Sequence, residues 1–146
     1  MQVRHSQKHT DFFADAPFTR LDAQDDAHFY EKPRIVNHID GQADATISSL
    51  YGRLLQPGSR VLDLMSSWNS HLPESLELAQ LTGLGLNREE LAQNPRLSDY
   101  VVHDLNGNPV LPFGNQEFEA VVCTVSVEYL THPSEIFREV ARILKP

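Results

Sequence analysis

The sequence predicts an α/β fold, a parallel sheet with helices on both faces. Three observations predict it. Four short apolar runs recur after Gly58, polar stretches of helical character separate them, and two of the runs close on a carboxylate, Asp63 and Asp104. Runs apolar along their whole length suit strands buried on both faces, and strands joined by crossovers of this kind lie parallel.

The elements follow in chain order. Residues 1–28 are polar and acid-rich, with Phe12, Phe13 and Phe18 scattered among aspartates, and read as a poorly ordered acidic leader. Residues 29–57 read as a helical cap: Ile39, Ala43, Ile47, Leu50, Tyr51 and Leu54 keep helical spacing until Pro57-Gly58 ends the helix. Residues 58–146 read as the core. Its strands are expected at Arg60–Leu64, Leu81–Leu86, Tyr100–Asp104 and Phe118–Val125, with crossovers at Pro73–Gln80, Arg88–Gln93 and Ser134–Leu144. The last crossover is the clearest helix. Ile136, Phe137, Val140, Ala141 and Leu144 make its apolar face, Arg138, Glu139 and Arg142 face water, and Ser134 is placed to cap its start.

Composition narrows the function. With 12 Lys and Arg against 20 Asp and Glu, the net charge is −8 and no basic run exists, which opposes binding to a nucleic-acid backbone. The single cysteine, Cys123, leaves no internal disulfide and no multi-cysteine metal site. Neither carboxylate lies near a His or Cys set with metal-ligand spacing, so no metal site is expected. The N-terminus has no apolar signal region and no stretch is long enough to span a bilayer, so the expectation is a cytoplasmic chain without a membrane partner.

Ligands of open parallel sheets bind at the carboxyl ends of the strands. The residues there are Asp63 with the Leu64–His71 loop, Gly85-Leu86-Asn87, Asp104-Leu105-Asn106 and Thr124-Val125-Ser126. Gly83-x-Gly85 is not a dinucleotide fingerprint, because Arg88 stands at the third glycine position and the glycines lie inside the strand.

These residues resemble the class I S-adenosylmethionine-dependent methyltransferases, whose core is Rossmann-like. Arg60-Val61-Leu62-Asp63-Leu64 is similar to the family's first strand, Leu81–Asn87 to its second, Val101–Asn106 to its third and Phe118–Val122 to its fourth. Glu135–Pro146, with its Leu-Lys-Pro ending, resembles the helix that follows, and Asp63-Leu64-Met65-Ser66-Ser67-Trp68 a type 11-like subgroup. The resemblance implies an S-adenosylmethionine cofactor and a small-molecule acceptor. It places Asp63, Leu64, Met65 and Ser66 around the methionine end, with Asp63 holding the ammonium. It puts Leu86 on the adenine face, Asp104 and Leu105 at the adenine edge, Asn87 near the ribose, and Thr124 and Ser126 beneath the methionine arm.

The sequence departs from the family in three places. Met65, Ser66 and Ser67 stand where a glycine-rich loop is usual, Gly85 replaces the acidic residue that grips the ribose, and the chain stops after the fourth strand's helix. The last departure implies a truncated core whose fourth strand is an exposed apolar edge open to self-association. Tyr30 and Arg34 are candidates for a cap over substrate or cofactor. His38 and Asp40 are candidates for substrate contacts, Asp40 equally for a helix cap. His71 and His38 are the candidate catalytic residues, His71 as a general base or as a plain loop residue. Trp68 reads as a loop anchor and Cys123 as an inert apolar residue. Three functions remain open: a methyltransferase, a degenerate, non-catalytic module of the same fold, and, last in order, an α/β domain for another nucleotide.

Overall fold

The computed structural model describes residues 32–146, so the leader expected at 1–28 and the candidate Tyr30 lie outside the described residues. The helix α1 (Gly41–Leu54) is followed by β1 (Arg60–Leu64), β2 (Gln80–Gly85), α2 (Arg88–Gln93), β3 (Asp99–Val102), β4 (Ala120–Val122) and α3 (Pro133–Ile143). The four strands form one parallel sheet in the order β3-β2-β1-β4. No helix among the described residues is long and apolar enough to cross a membrane.

Successive side chains of a strand point to opposite faces, and β1 shows what that alternation does. Leu62 and Leu64 enter a core cluster with Phe118, Ile136 and Ile143, which brings α3 against one face of the sheet. Val61 enters a second cluster with Leu55, Leu72, Leu76 and Leu81 on the other face, where Tyr51 of α1 packs. Asp63 shares the parity of Val61. It lies opposite Gly83 of β2 and Val122 of β4, beneath the loop that follows β1.

The expected helix at Pro73–Gln80 does not form. Its backbone groups are taken elsewhere: Arg96 Nη2 donates to the carbonyls of Pro73 (3.2 Å) and Leu76 (2.9 Å), the Ala79 N–H donates to the Ser59 carbonyl (3.0 Å), and the Glu77 carbonyl accepts from Gly58 N–H (2.8 Å). Buried Leu72 and Leu76 then anchor an extended crossover. The fourth strand is also shorter than expected, because the chain turns at Thr124–Ser126 with Val125 at φ 47°. Part of its outer edge is occupied. Leu144 bridges Phe118, and the Lys145 N–H donates to the Phe118 carbonyl (2.9 Å).

In α3 the apolar face is rotated from the expected one. Ile136 and Ile143 are buried and Val140 packs on the core, whereas Phe137 and Ala141 are exposed. Ser134 does not cap the helix; His132 occupies the cap position and Pro133 begins the first turn, where its missing N–H costs nothing. Glu139 and Arg142 do not simply face water. Arg142 donates to the carbonyls of Leu111 (3.0 Å) and Phe113 (2.9 Å), to Asn115 and to Glu139, and Glu139 Oε2 accepts from the Leu111 N–H (2.9 Å). This pair pins the loop between β3 and β4 to α3. Arg142→Met, which keeps the aliphatic stem, lowers unfolding stability by about 2–3 kcal/mol in a urea titration, since carbonyls lose a charged donor.

Candidate functional site

A cavity of about 750 Å³ opens at the carboxyl ends of the strands, between the loop after β1, the start of α2, the turn after β3 and the turn after β4. That volume suits a ligand of the size of a nucleoside joined to an amino acid. Asp63 reaches it from the sheet. The side chain is 3% exposed, and Ser66 Oγ donates to Asp63 Oδ2 at 2.6 Å. Burial pushes its carboxyl up to about 6, against the hydroxyls of Ser66 and Ser70 and the field of His71, which favour the charged form.

The loop that carries these serines does without glycine. Met65 turns off the end of β1 with φ 59°, in the left-handed region that non-glycine residues enter rarely. The Ser66 N–H then donates to the Leu84 carbonyl (2.8 Å), holding the loop over β2. Gly85 is what admits this crossing, since a Cβ there would meet the Ser66 carbonyl oxygen at 2.2 Å. The absence of an acidic residue at that strand end therefore has a steric cause: the backbone of the loop fills the place. Downstream, Asn94 Nδ2 donates to the Ser67 carbonyl (2.8 Å) and to Ser70 Oγ (2.9 Å), which fixes the far half of the loop.

The structure brings most of the expected residues together. Asp63, Met65, Ser66, Leu86, Asn87, Leu105, Thr124 and Ser126 line the cavity, as do Arg34, His38 and His71. Two expected cofactor residues do not. Leu64 points into the α3 side of the core, as its parity with Leu62 requires. Asp104 follows β3 at the same end of the sheet but is not part of the cavity wall: its Oδ1 accepts from the Asn106 N–H (2.9 Å) within its own turn, and its Oδ2 stands on the Gly107 side. The expected convergence of Asp63 and Asp104 on one hollow is thus met by Asp63 alone, with His103, Leu105 and Asn106 forming the wall after β3. Asn87 Oδ1 caps α2, accepting from the N–H groups of Glu89 (2.9 Å) and Glu90 (3.1 Å). Asp40 caps α1, accepting from Ala43 N–H (2.8 Å), and takes the cap role rather than a place in the cavity wall.

Several wall residues were not foreseen, among them Glu90, His103 and Glu128. Glu90 is 5% exposed, its carboxylate accepting from Ser67 Oγ and from the Arg34 N–H, both at 2.7 Å. It clamps the segment before α1 across the loop after β1. Trp68 assists, donating from Nε1 to the Val36 carbonyl (3.2 Å), so it anchors the loop as expected. Tyr51 reaches from α1 to the opposite side, its hydroxyl 2.7 Å from Thr124 Oγ1, and burial raises the phenol above its usual pKa. Cys123 is half-buried, and burial raises its thiol likewise.

Comparison with known proteins gives this site its setting. The family model described as "Methyltransferase domain" matches residues 67–146, more than half of the chain. Among solved structures, the [4+2]-cyclase SpnF superposes with a TM-score of 0.59 at 23% identity, covering 75% of this chain and 46% of its own. An S-adenosylmethionine-dependent methyltransferase from Mesorhizobium loti gives 0.55 at 22% identity, over 67% of this chain and 48% of that one. The YcgJ protein of Bacillus subtilis gives 0.52 at 20%, over 72% and 45%. At these identities the likeness is one of fold, and the chain spans about half the length of each structure. No curated protein matches the sequence. By its fold and by the family model, the chain belongs to the methyltransferase-domain family.

Proposed function

We propose that the chain binds S-adenosylmethionine in the rim cavity and serves methyl transfer to a small-molecule acceptor. The observation that carries this reading is a buried carboxylate, Asp63, facing a cavity of about 750 Å³ whose other walls include the apolar side chains of Leu86 and Leu105. The residues fit the cofactor's chemistry. Asp63 would hold the ammonium of the methionine end, Leu86 and Leu105 would take the adenine faces, and Thr124 and Ser126 would line the arm between. With Gly85 covered by the loop, the ribose would meet a wall that carries the polar side chains of Asn87, Ser67 and Glu90. The cofactor supplies an activated methyl group on sulfur. The chain's part is to fix the two reactants in line, the largest contribution positioning can make to such a displacement. The net charge of −8 supports a small acceptor over a nucleic acid.

A second reading, a module of this fold that does not transfer methyl groups, is favoured by two observations. The Ser66 carbonyl fills the place of a ribose-binding acid, and the Asp104 carboxylate is engaged in its own turn.

Calorimetric titration with S-adenosylhomocysteine separates them. The cofactor reading expects saturable binding, weakened about 10- to 150-fold in Asp63→Asn through loss of a charged hydrogen bond. No heat of binding at millimolar ligand leaves the second reading.

A further inference from the structure

The loop after β1 carries a second device that the binding of a cofactor does not use. His71 lines the cavity with its side chain 13% exposed, and its Nδ1 lies 2.6 Å from Asp44 Oδ1 in the first turn of α1. A carboxylate can only accept, so the short contact to Asp44 puts the proton on Nδ1, the Asn69 amide nitrogen lying farther off at 3.4 Å. Nε2 makes no hydrogen bond to the described residues and is left as the ring nitrogen open to a molecule in the cavity. The backbone at this position is also held. His71 sits at φ 56°, and the Asn69 side-chain carbonyl accepts its N–H at 3.0 Å. A non-glycine residue kept in that region at a cavity wall signals a surrounding that over-determines its position. The acidic groups near the ring are Asp44, in direct contact with it, and the buried Asp63.

We infer that Asp44 and His71 form a proton-accepting pair, with His71 Nε2 the base and Asp44 the residue that fixes its tautomer, and that the acceptor therefore carries a removable proton on oxygen, sulfur or nitrogen. This rests on the cofactor reading above and deepens it. In the transfer, the acceptor's lone pair forms the new bond to the methyl carbon, the electrons of the broken carbon–sulfur bond stay on the cofactor's sulfur, and the acceptor's proton passes to Nε2 and later to water. An acceptor with no such proton would gain nothing from the pair.

The test is nitrogen-detected NMR of the His71 ring in the whole chain, with His71→Gln as the assignment control. The neutral ring is expected as the Nδ1–H tautomer, reverting to the Nε2–H tautomer in Asp44→Asn. Phenol at millimolar concentration, as a protic probe, is expected to shift the Nε2 resonance, and anisole, its aprotic counterpart, to leave it in place. An Nε2–H tautomer in the wild type, indifference to Asp44→Asn, or equal responses to phenol and anisole overturns the inference. Titration with S-adenosylhomocysteine judges the cofactor reading separately, because neither the tautomer nor the phenol response requires the cofactor.

Discussion

Asp63→Asn raises the stability of the chain at pH 7 by about 1–3 kcal/mol while it weakens cofactor binding. The direction follows from where the proton resides. In the folded chain the Asp63 carboxyl is raised from 3.8 to about 6 by burial. Between those values the folded state keeps a proton that the unfolded chain has released, so stability is greatest below the lower value, falls as pH rises through the window, and stays reduced above the upper one. Asparagine is neutral throughout and its side-chain carbonyl can still accept from Ser66 Oγ. Urea denaturation across this range is expected to show wild-type stability falling with pH and the variant's staying flatter. A ligand ammonium needs the ionised carboxylate, so wild-type affinity for S-adenosylhomocysteine is expected to rise through about pH 6. On the proposed function, that loss of stability is the cost of keeping a buried charge for a ligand's ammonium.

Gly85→Ala costs about 3 kcal/mol or more, and Gly85→Asp, which restores the acid usual at this strand end, costs no less. The new Cβ would stand 2.2 Å from the Ser66 carbonyl oxygen and 3.2 Å from its carbon, atoms of a backbone already bonded to Leu84. Neither can yield without lifting the loop off β2, and with it the serines that hold Asp63. Gly83→Ala provides the internal comparison. Its nearest obstacle, at 2.5 Å, is the tip of the Leu97 side chain, which can rotate, so a smaller loss of about 1 kcal/mol is expected. Thermal unfolding of the two variants side by side checks the ranking; an equal or reversed order contradicts the steric account.

The parts of the fold that the sequence made legible are those set by local pattern. β1 and α2 have the expected bounds, Arg60–Leu64 and Arg88–Gln93, because each is marked by a local pattern, an apolar run in one and a helix-forming stretch in the other. The crossover at Pro73–Gln80 went the other way because Arg96, 23 residues beyond Pro73 and 20 beyond Leu76, takes the carbonyls a helix would have used. The site followed the same division. Most residues placed by strand ends reached the cavity. Leu64 turned into the core with the parity of Leu62, and Asp104, a strand end that also begins an Asp-Leu-Asn-Gly turn, took its place in the turn. Glu90 carried one local signal, its place three residues after a capping asparagine, which suggests a capping box. Its carboxylate instead crosses to Ser67 and Arg34, contacts that no sequence spacing announces. Asp44 was hidden in the same way, twenty-seven residues from the histidine it holds.

A crystal structure of the chain with S-adenosylhomocysteine addresses the central claim most directly. The account predicts the ligand's ammonium within hydrogen-bonding distance of Asp63 and its adenine against Leu86 and Leu105. Density for the ligand elsewhere on the chain, or an adenosyl group seated with its amino-acid end away from Asp63, contradicts it.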